Sequence, residues 1–446
     1  MKKLILCISI LGMLEFACGD KVFPIMENEY TMKELQNDMK IFGRVGYVGT
    51  AAAFDWSASG FEMNVNAVGG KFTVKYSFSY ASYFVVFVDR IQIARPLLSG
   101  ANKTFEFDLS SGVHTIRIVK DSPISVTIGS FNCFNSVSFD GEILNKPADK
   151  GLLIEFMGAS TTCGGGALGV YKDGVGATLF ECTATQAFPY FICEALNADH
   201  SFVCVSGTGF VQKSGTTEGS KNLVELYPYL SGFRSTTEMY SPSRVPDVVI
   251  LGPITIDLSL SNIGSYLSTM TNFVKTLRRD YGPDTKIVWI GRTGHETGLA
   301  AMNEIISSTK DPNLFAMTPL LQYVGKGSGG AFPVHPNVEE HKAIAEAVTA
   351  YLRDTVGIKN DSSNTSKINI PKIPGLSPVV VYTQAAAIGF NNVLESAKIP
   401  IVDIARRVIL SKFIKEDESI LVSKGMYIVT VLNAKGNQKT VKCLVG

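Results

Sequence analysis

The spacing of hydrophobic residues changes along the chain. Between residues 38 and 145, apolar and polar residues alternate, which predicts strands with one buried and one solvated face. The clearest strands lie at residues 61–65, 71–76, 83–88 and 114–119, separated by short turns rich in Gly, Ser and Asn. Strands at this spacing, with almost no helical periodicity, predict an N-terminal β-sandwich of the jelly-roll type.

Residues 150–355 have a different pattern, in which short apolar strands alternate with helical stretches. Strands are predicted at residues 154–157, 200–205, 247–251 and 286–290, and helices at residues 264–279 and 337–353. This alternation predicts a central α/β domain with a parallel sheet and helices on both of its faces.

The last part of the chain is again rich in strands. Residues 356–378 are polar and contain several prolines, which predicts a linker. Runs at residues 379–382, 399–404 and 425–432 then predict a small C-terminal β-sandwich over residues 379–446.

Composition narrows the class of protein. The 446 residues are 46% hydrophobic and 18% charged, as in a globular protein of more than one domain. A net charge of +1 argues against nucleic acid as a partner and against electrostatic binding to a membrane.

The N-terminus has the pattern of a secretory signal. Lys2 and Lys3 precede an apolar run at residues 4–14, so residues 1–20 are predicted to be a signal peptide. That run is too short to span a bilayer, and we predict no transmembrane helix after signal removal. Cys18 leaves lipid anchoring open, although Glu15 stands where an aliphatic residue is expected.

The first candidate for chemistry is Ser160. Gly158 ends the first apolar strand of the central domain, and Ser160 follows at the sheet edge where α/β proteins bind their ligands. This placement suits a nucleophile. Serine after a strand is also common in turns and helix caps, so the segment alone leaves both interpretations open.

Histidine is the usual general base near neutral pH, and the chain has five. His335 lies just before the last predicted helix of the central domain, where Pro336 keeps it out of that helix. It is therefore the candidate partner of Ser160. The other histidines are His114, His200, His295 and His341.

Metal-binding spacing is missing from the sequence. There is no Cys-x-x-Cys pair and no His-x-x-x-His pair, so we predict no metal site and no cofactor. The cysteines could pair in an exported protein, but the sequence leaves their connectivity open.

These residues carry a resemblance to a known family. The central domain resembles SGNH-type hydrolases, and the sandwich and central domains together resemble carbohydrate esterase family 2. The matching segments are residues 43–44, 54–62, 83–89, 112–115, 155–164, 206–209 and 335–337 with His341. They occur in the family's order over residues 40–355. The resemblance implies an enzyme that removes acetyl groups from polysaccharides.

The resemblance also implies roles for individual residues. Ser160 would attack the acetyl carbonyl, and His335 would take its proton and later activate water. The backbone N–H groups of Ser160 and Gly207 would face the developing oxyanion. Such a site performs acyl transfer through a covalent intermediate.

The chain departs from the family pattern in three places. Ala159 replaces an aspartate of the nucleophile turn. Ile254 or Ile256, depending on the alignment, replaces an asparagine that donates to the oxyanion. Phe332 and Pro333 replace an aspartate that orients the base. Losing such groups lowers turnover strongly.

Two functions remain open from the sequence. The first is a weakened secreted esterase, in which Thr255 or Asp257 partly replaces the missing groups. The second is a catalytically inactive surface protein that binds glycan.

Two further features have predicted roles near the site. Trp56 could stack on a sugar or pack in the core. The glycines at residues 164–166 are predicted to form a flexible lip beside Ser160.

Residues 385–446 resemble the C-terminal sorting domain of the type IX secretion system. The resemblance rests on residues 401–408, 424–431 and 439–445. It implies the type IX machinery as a partner and a secreted or outer-membrane cell-surface location. An ordinary β-sandwich accessory module is the alternative.

Overall fold

A computed structural model describes residues 28–359 and 380–445, with internal gaps. The gaps are at residues 124–131, 171–176, 213–220, 232–237, 253–256, 258–262, 292–295, 318–334, 385–386, 392–396, 404–407, 415–417, 422–424 and 434–437. The chain divides into two compact units, Met1–Asn364 and Thr365–Gly446. The predicted N-terminal sandwich and α/β domain therefore lie together in the first unit.

The first unit begins with an antiparallel sheet of nine strands. The strands are β1 (Asn28–Thr31), β2 (Met39–Phe42), β3 (Gly46–Val48), β4 (Ala51–Ala53), β5 (Gly60–Val88), β6 (Ile91–Ala94), β7 (Leu97–Leu109), β8 (Gly112–Lys120) and β9 (Asn132–Ile143). A 3-10 helix, Glu34–Asn37, follows β1. Because β1 pairs with β9, the sheet starts ahead of the boundary predicted at residue 38.

Strand β5 joins three segments that the sequence pattern predicts as separate strands. Its two ends both pair with β8, and its middle pairs with β7 and β9. The chain bends where Gly69 and Gly70 have φ angles of +121° and +106°, which residues with a side chain rarely adopt. The bends fold the sheet around a core of its own.

Aromatic rings fill that core. The ring of Phe134 lies 5.4 Å from Phe54, 5.9 Å from Phe61 and 5.0 Å from Phe84, measured between ring centroids. All four side chains are fully buried. Alternate residues of β5, such as Phe61 and Met63, face this core, as the predicted alternation requires.

The second sheet of this unit is parallel and has five strands, in the order β11-β10-β12-β13-β14. Its strands are β10 (Leu152–Gly158), β11 (Ala198–Cys204), β12 (Val248–Leu251), β13 (Lys286–Ile290) and β14 (Leu314–Met317). Its helices are α1 (Phe188–Ala195), α2 (Leu223–Leu226), α3 (Ile263–Tyr281), α4 (Glu296–Thr309) and α5 (Val338–Asp354), with a 3-10 helix at Leu179–Glu181.

The helices cover both faces of the parallel sheet. Phe156 of β10 packs in one core with α1 and α5, while the next residue, Met157, packs in another with α3 and α4. Successive side chains of a strand point to opposite faces, so both faces are apolar. The predicted parallel sheet between helices is confirmed.

Charged residues join the antiparallel sheet to the parallel one. The Arg44 guanidinium is fully buried and lies 3.2 Å from the Glu155 carboxylate in β10. Glu155 also accepts hydrogen bonds from the hydroxyls of Ser201, at 2.9 Å, and Tyr281, at 2.7 Å. These contacts tie both halves of the first unit together.

Trp56 lies at the same junction. Its ring is fully buried, and its indole N–H donates to the Leu230 carbonyl oxygen at 2.8 Å. A buried ring has no face for a sugar, so of the two roles that the sequence leaves open, Trp56 has the structural one.

The second unit contains two antiparallel sheets, in the orders β15-β16-β19 and β18-β17-β20-β21. Its strands are β15 (Val380–Gln384), β16 (Ala387–Asn391), β17 (Ala397–Asp403), β18 (Val408–Ile414), β19 (Glu418–Leu421), β20 (Gly425–Asn433) and β21 (Gln438–Val445). Across both units, no described helix has the length and apolar character needed to cross a membrane.

Candidate active site

Ser160 follows β10, the first strand of the parallel sheet. In the sheet, β10 lies between β11 and β12, so the chain order reverses at this strand. Ligand sites of open α/β sheets lie at the carboxyl ends of strands where the order reverses. After Gly158 the chain makes a helical turn, in which the N–H groups of Thr162 and Cys163 donate to the Ala159 carbonyl at 3.0 and 3.1 Å. Ser160 is partly exposed at the start of this turn.

His335 reaches the same place from the other end of the domain. Helix α5 is capped by Asn337, whose side chain accepts from the Glu340 N–H at 2.8 Å, while Glu340 accepts from the Asn337 N–H at 2.8 Å. This capping box fixes the direction in which the chain enters the helix. The Ser160 hydroxyl and His335 Nε2 lie 2.5 Å apart, although 175 positions separate the residues.

The environment of His335 keeps its imidazole neutral. Burial disfavours the charged form and lowers the pKa of His335 to about 4. At neutral pH the ring is therefore unprotonated, as a general base must be. The arrangement can take the proton from Ser160 as its oxygen attacks an ester.

Gly207 lies on the loop that follows β11. Its φ angle is +75°, a conformation that favours glycine. The Val205 N–H donates to the Gly158 carbonyl at 3.1 Å, which joins the start of this loop to the nucleophile turn. Within the described residues, the N–H groups of Ser160 and Gly207 donate to no acceptor.

Asp257 holds the far side of the same loop. Its carboxylate accepts from the backbone N–H groups of Phe210 at 2.6 Å, Val211 at 3.1 Å and Gln212 at 2.8 Å. Sequence reasoning named Asp257 as a replacement for missing catalytic groups and did not find this role. An isolated acid beyond an apolar strand was the one available signal.

Several residues that the sequence predicts to replace catalytic groups, or that depart from the family pattern, are not described by the structure. Thr255, Ile254, Ile256, Phe332 and Pro333 lie outside the described residues. The same is true of His295.

The glycines at residues 164–166 are buried and do not form a flexible lip beside Ser160. A Cβ atom on Gly164 would lie 1.7 Å from the Thr183 carbonyl oxygen, and one on Gly165 would lie 3.2 Å from Cβ of Ser160. The prediction of a lip is therefore wrong, because these positions require close approach of two backbone segments. The glycines allow the segment at Thr183 to support the nucleophile turn.

Two further histidines are parts of the core. His200 Nε2 lies 2.9 Å from the Ala58 carbonyl oxygen, and the ring stacks on Phe42. His341 Nδ1 accepts from the Phe188 N–H at 3.2 Å. Burial lowers the pKa of each to about 3, so both are neutral.

His114 lies in the antiparallel sheet, where its Nδ1 is 2.8 Å from an Asp89 carboxylate oxygen. It does not contribute to the arrangement around Ser160. Of the described histidines, His335 is the one brought to the nucleophile turn.

The described part of the chain contains no cluster of side chains in positions suited to metal binding. No group of three or more His, Cys, Asp or Glu side chains there could hold a metal ion. Five cysteines of the first unit are buried, at Cys133, Cys163, Cys182, Cys193 and Cys204, and none of these five is in a disulfide.

The chain is similar to two characterised proteins, and no family model matches it. The cellulase/esterase CelE of Acetivibrio thermocellus is 24% identical over 315 residues, which cover 68% of this chain and 37% of CelE. The chain thus spans little more than a third of that relative. An acetylxylan esterase/glucomannan deacetylase of Cellvibrio japonicus is 22% identical over 363 residues, which cover 79% of this chain and 99% of the relative.

Solved structures show the same likeness. A family two carbohydrate esterase from Clostridium thermocellum, in complex with cellohexaose, matches 72% of this chain and 99% of its own, with 22% identity and a TM-score of 0.64. The acetyl xylan esterase Est2A from Butyrivibrio proteoclasticus matches 74% and 99%, with 18% identity and a TM-score of 0.65. The predicted likeness to carbohydrate esterase family 2 is confirmed at the level of the fold.

Proposed function

We propose that this chain is a carboxylic ester hydrolase that removes O-acetyl groups from polysaccharide, with Ser160 as nucleophile and His335 as base. The observation that supports it most is the 2.5 Å contact between the Ser160 hydroxyl and His335 Nε2. Burial keeps that imidazole unprotonated, and the N–H groups of Ser160 and Gly207, which have no acceptor among the described residues, lie on the two loops beside it.

The reaction has two halves. His335 Nε2 takes the Ser160 proton as the serine oxygen bonds to the acetyl carbon, and the oxyanion accepts hydrogen bonds from the N–H groups of Ser160 and Gly207. The carbon–oxygen bond to the sugar then breaks, and the sugar oxygen takes the proton from His335. In the second half, His335 deprotonates a water that attacks the acetyl carbon. The bond from that carbon to the Ser160 oxygen then breaks, acetate leaves, and the Ser160 oxygen takes the proton back from His335.

The name of the Cellvibrio japonicus relative, an acetylxylan esterase/glucomannan deacetylase, supports an acetylated xylan or glucomannan as the substrate class, and the name of CelE supports ester hydrolysis. The sequence position of the third oxyanion donor holds Ile254 or Ile256, neither of which has a side-chain donor. Loss of one such donor typically lowers turnover by about 10²–10³. We therefore expect a weak esterase rather than a fast one.

The test is acetate release by the purified chain from acetylated xylan, acetylated glucomannan and p-nitrophenyl acetate. We expect measurable turnover that Ser160→Ala abolishes, because no nucleophile remains. Equal rates for the wild type and Ser160→Ala would end the esterase proposal. Retained binding of deacetylated polysaccharide by both proteins would then favour the glycan-binding alternative.

We also propose that the second unit directs type IX secretion to the cell surface. Most described residues of the segments that carry the sorting-domain resemblance lie on strands β17, β20 and β21, which are neighbours in one antiparallel sheet, while residues 404–407 and 424 lie outside the described residues. A reporter fused to the whole chain should reach the surface of a bacterium with this machinery, whereas a fusion that ends at Ser377 should not. Surface delivery of the shortened fusion would contradict the proposal.

A further inference from the structure

Asp257 lies beneath the loop that carries Gly207. We propose that Asp257 is a positioning residue, which holds this loop so that the Gly207 N–H points at the oxyanion of the reaction. The inference rests on the proposed esterase function and assigns to it a residue outside the Ser160–His335 pair.

The carboxylate is enclosed by the loop. Three consecutive N–H groups, those of Phe210, Val211 and Gln212, donate to its oxygens at 2.6, 3.1 and 2.8 Å. Such a run of N–H groups makes a concave site for an anion. Asp257 is 4% exposed, so water does not compete freely for these bonds.

The fit between loop and carboxylate is close. A Cβ atom on Gly209 would lie 2.3 Å from Oδ1 of Asp257, well inside contact distance. Glycine at this position therefore lets the backbone pass directly over the acid. Any side chain at residue 209 would have to displace Asp257 or the loop.

Gly207 lies between this contact and the nucleophile turn. On its N-terminal side, the Val205 N–H donates to the Gly158 carbonyl. On its C-terminal side, the contacts to Asp257 begin three residues later, at Phe210. A turn bond from the Thr208 N–H to the Val205 carbonyl at 3.3 Å spans Gly207 itself, and the contacts to Asp257 hold the C-terminal side of this turn.

Further bonds complete the far end of the loop. The Gly209 carbonyl accepts from the Leu223 N–H at 2.9 Å, and the Asn222 amide donates to the Val211 carbonyl at 3.0 Å. These bonds leave Asp257 as the side chain that engages several loop N–H groups at once. Its removal would leave the N–H groups of Phe210, Val211 and Gln212 without this acceptor, three to five residues beyond Gly207.

Asp257→Asn is the first variant to test, because the amide keeps the shape of the carboxylate but turns one acceptor into a donor that faces an N–H group. We expect kcat for p-nitrophenyl acetate to fall about 10- to 100-fold, as for a small misplacement of a catalytic group. KM should change by less than about twofold, since the Gly207 N–H acts mainly on the transition state. Inactivation by a p-nitrophenyl phosphonate, which forms a tetrahedral adduct on serine, should slow to the same degree.

Gly209→Ala tests the same contact from the other side. It leaves Asp257 in place chemically but puts a Cβ atom where the carboxylate lies. We expect the same fall in kcat with little change in KM, and a double variant that loses less than the product of the single effects. This variant keeps the inference testable if Asp257→Asn folds poorly.

Asp311→Asn is the matched control. Its carboxylate also accepts a backbone N–H, from Asn313 at 2.9 Å, and pairs with Arg278, but it lies before β14, at the opposite end of the parallel sheet. It should lower the melting temperature and leave kcat unchanged. An active wild type with unaltered kcat in Asp257→Asn and Gly209→Ala would overturn the inference alone, whereas an inactive wild type would overturn the proposed function and the inference together.

Discussion

At the residue scale, the state of His335 determines the pH range of the proposed reaction. Its pKa is lowered to about 4, because the buried ring loses the hydration that would stabilise its charge. The neutral form that accepts the Ser160 proton is therefore present above that pH. Protonation below it would break the link to Ser160 and stop the first step.

We accordingly expect kcat/KM for p-nitrophenyl acetate to stay level as the pH falls from neutral and to decline with an apparent pKa near 4. An ordinary histidine would give a decline near 6.5. Initial rates from about pH 3.5 to about pH 8 would locate the decline in kcat/KM, since this range contains both apparent pKa values. Circular dichroism at each pH would exclude unfolding. A decline centred near 6.5 in folded protein would contradict the buried, neutral base.

The sequence identified some residues of the site and did not reveal the role of others. Ser160 and His335 could be named because each follows a recognisable element boundary and matches a family block. Asp257 could not be assigned, because its role depends on three backbone N–H groups more than 40 residues away, which leave no pattern in side-chain types. Contacts between a side chain and backbone groups far away in sequence can be found only from the three-dimensional structure.

At the scale of elements, the apolar runs predicted the parallel sheet well. Strands β10 to β13 are short, mostly apolar and largely buried on both faces, which is the pattern of a sheet between helices. Strand β14 was not named from the sequence. It has four residues at the edge of the sheet, and two of them, Phe315 and Ala316, are only partly buried.

For the antiparallel sheet, the sequence predicted β-strands with one buried face, but not how the segments connect. The alternation marked the buried face of β5 correctly. It did not show that the segments at residues 61–65, 71–76 and 83–88 form one strand. Between the first two, Gly69 and Gly70 could belong either to a turn or to a bent strand, and between the last two the run is rich in serine, which is also common in turns. Pairing with β7, β8 and β9 decides between them.

At the scale of the whole first unit, the junction between the two sheets was not visible in the sequence. Arg44 and Glu155 belong to distant segments, and although Glu155 lies within an apolar run, the sequence does not show which residue pairs with it. In the structure they pair at 3.2 Å with both side chains almost fully enclosed. A buried charge needs such a partner, so each sheet supplies what the other could not bury alone.

This junction predicts how the unit loses stability. Glu155→Gln would leave the Arg44 guanidinium buried without its counter-charge, and breaking a buried pair typically costs about 3–5 kcal/mol of unfolding free energy. Asp108→Asn is the control, because its pair with Lys71 is exposed and worth at most about 1 kcal/mol. Guanidinium unfolding would measure both, with fluorescence from Trp56 beside the junction and Trp289 in β13. If the two variants lost equal stability, the buried pair would not be what holds the sheets together.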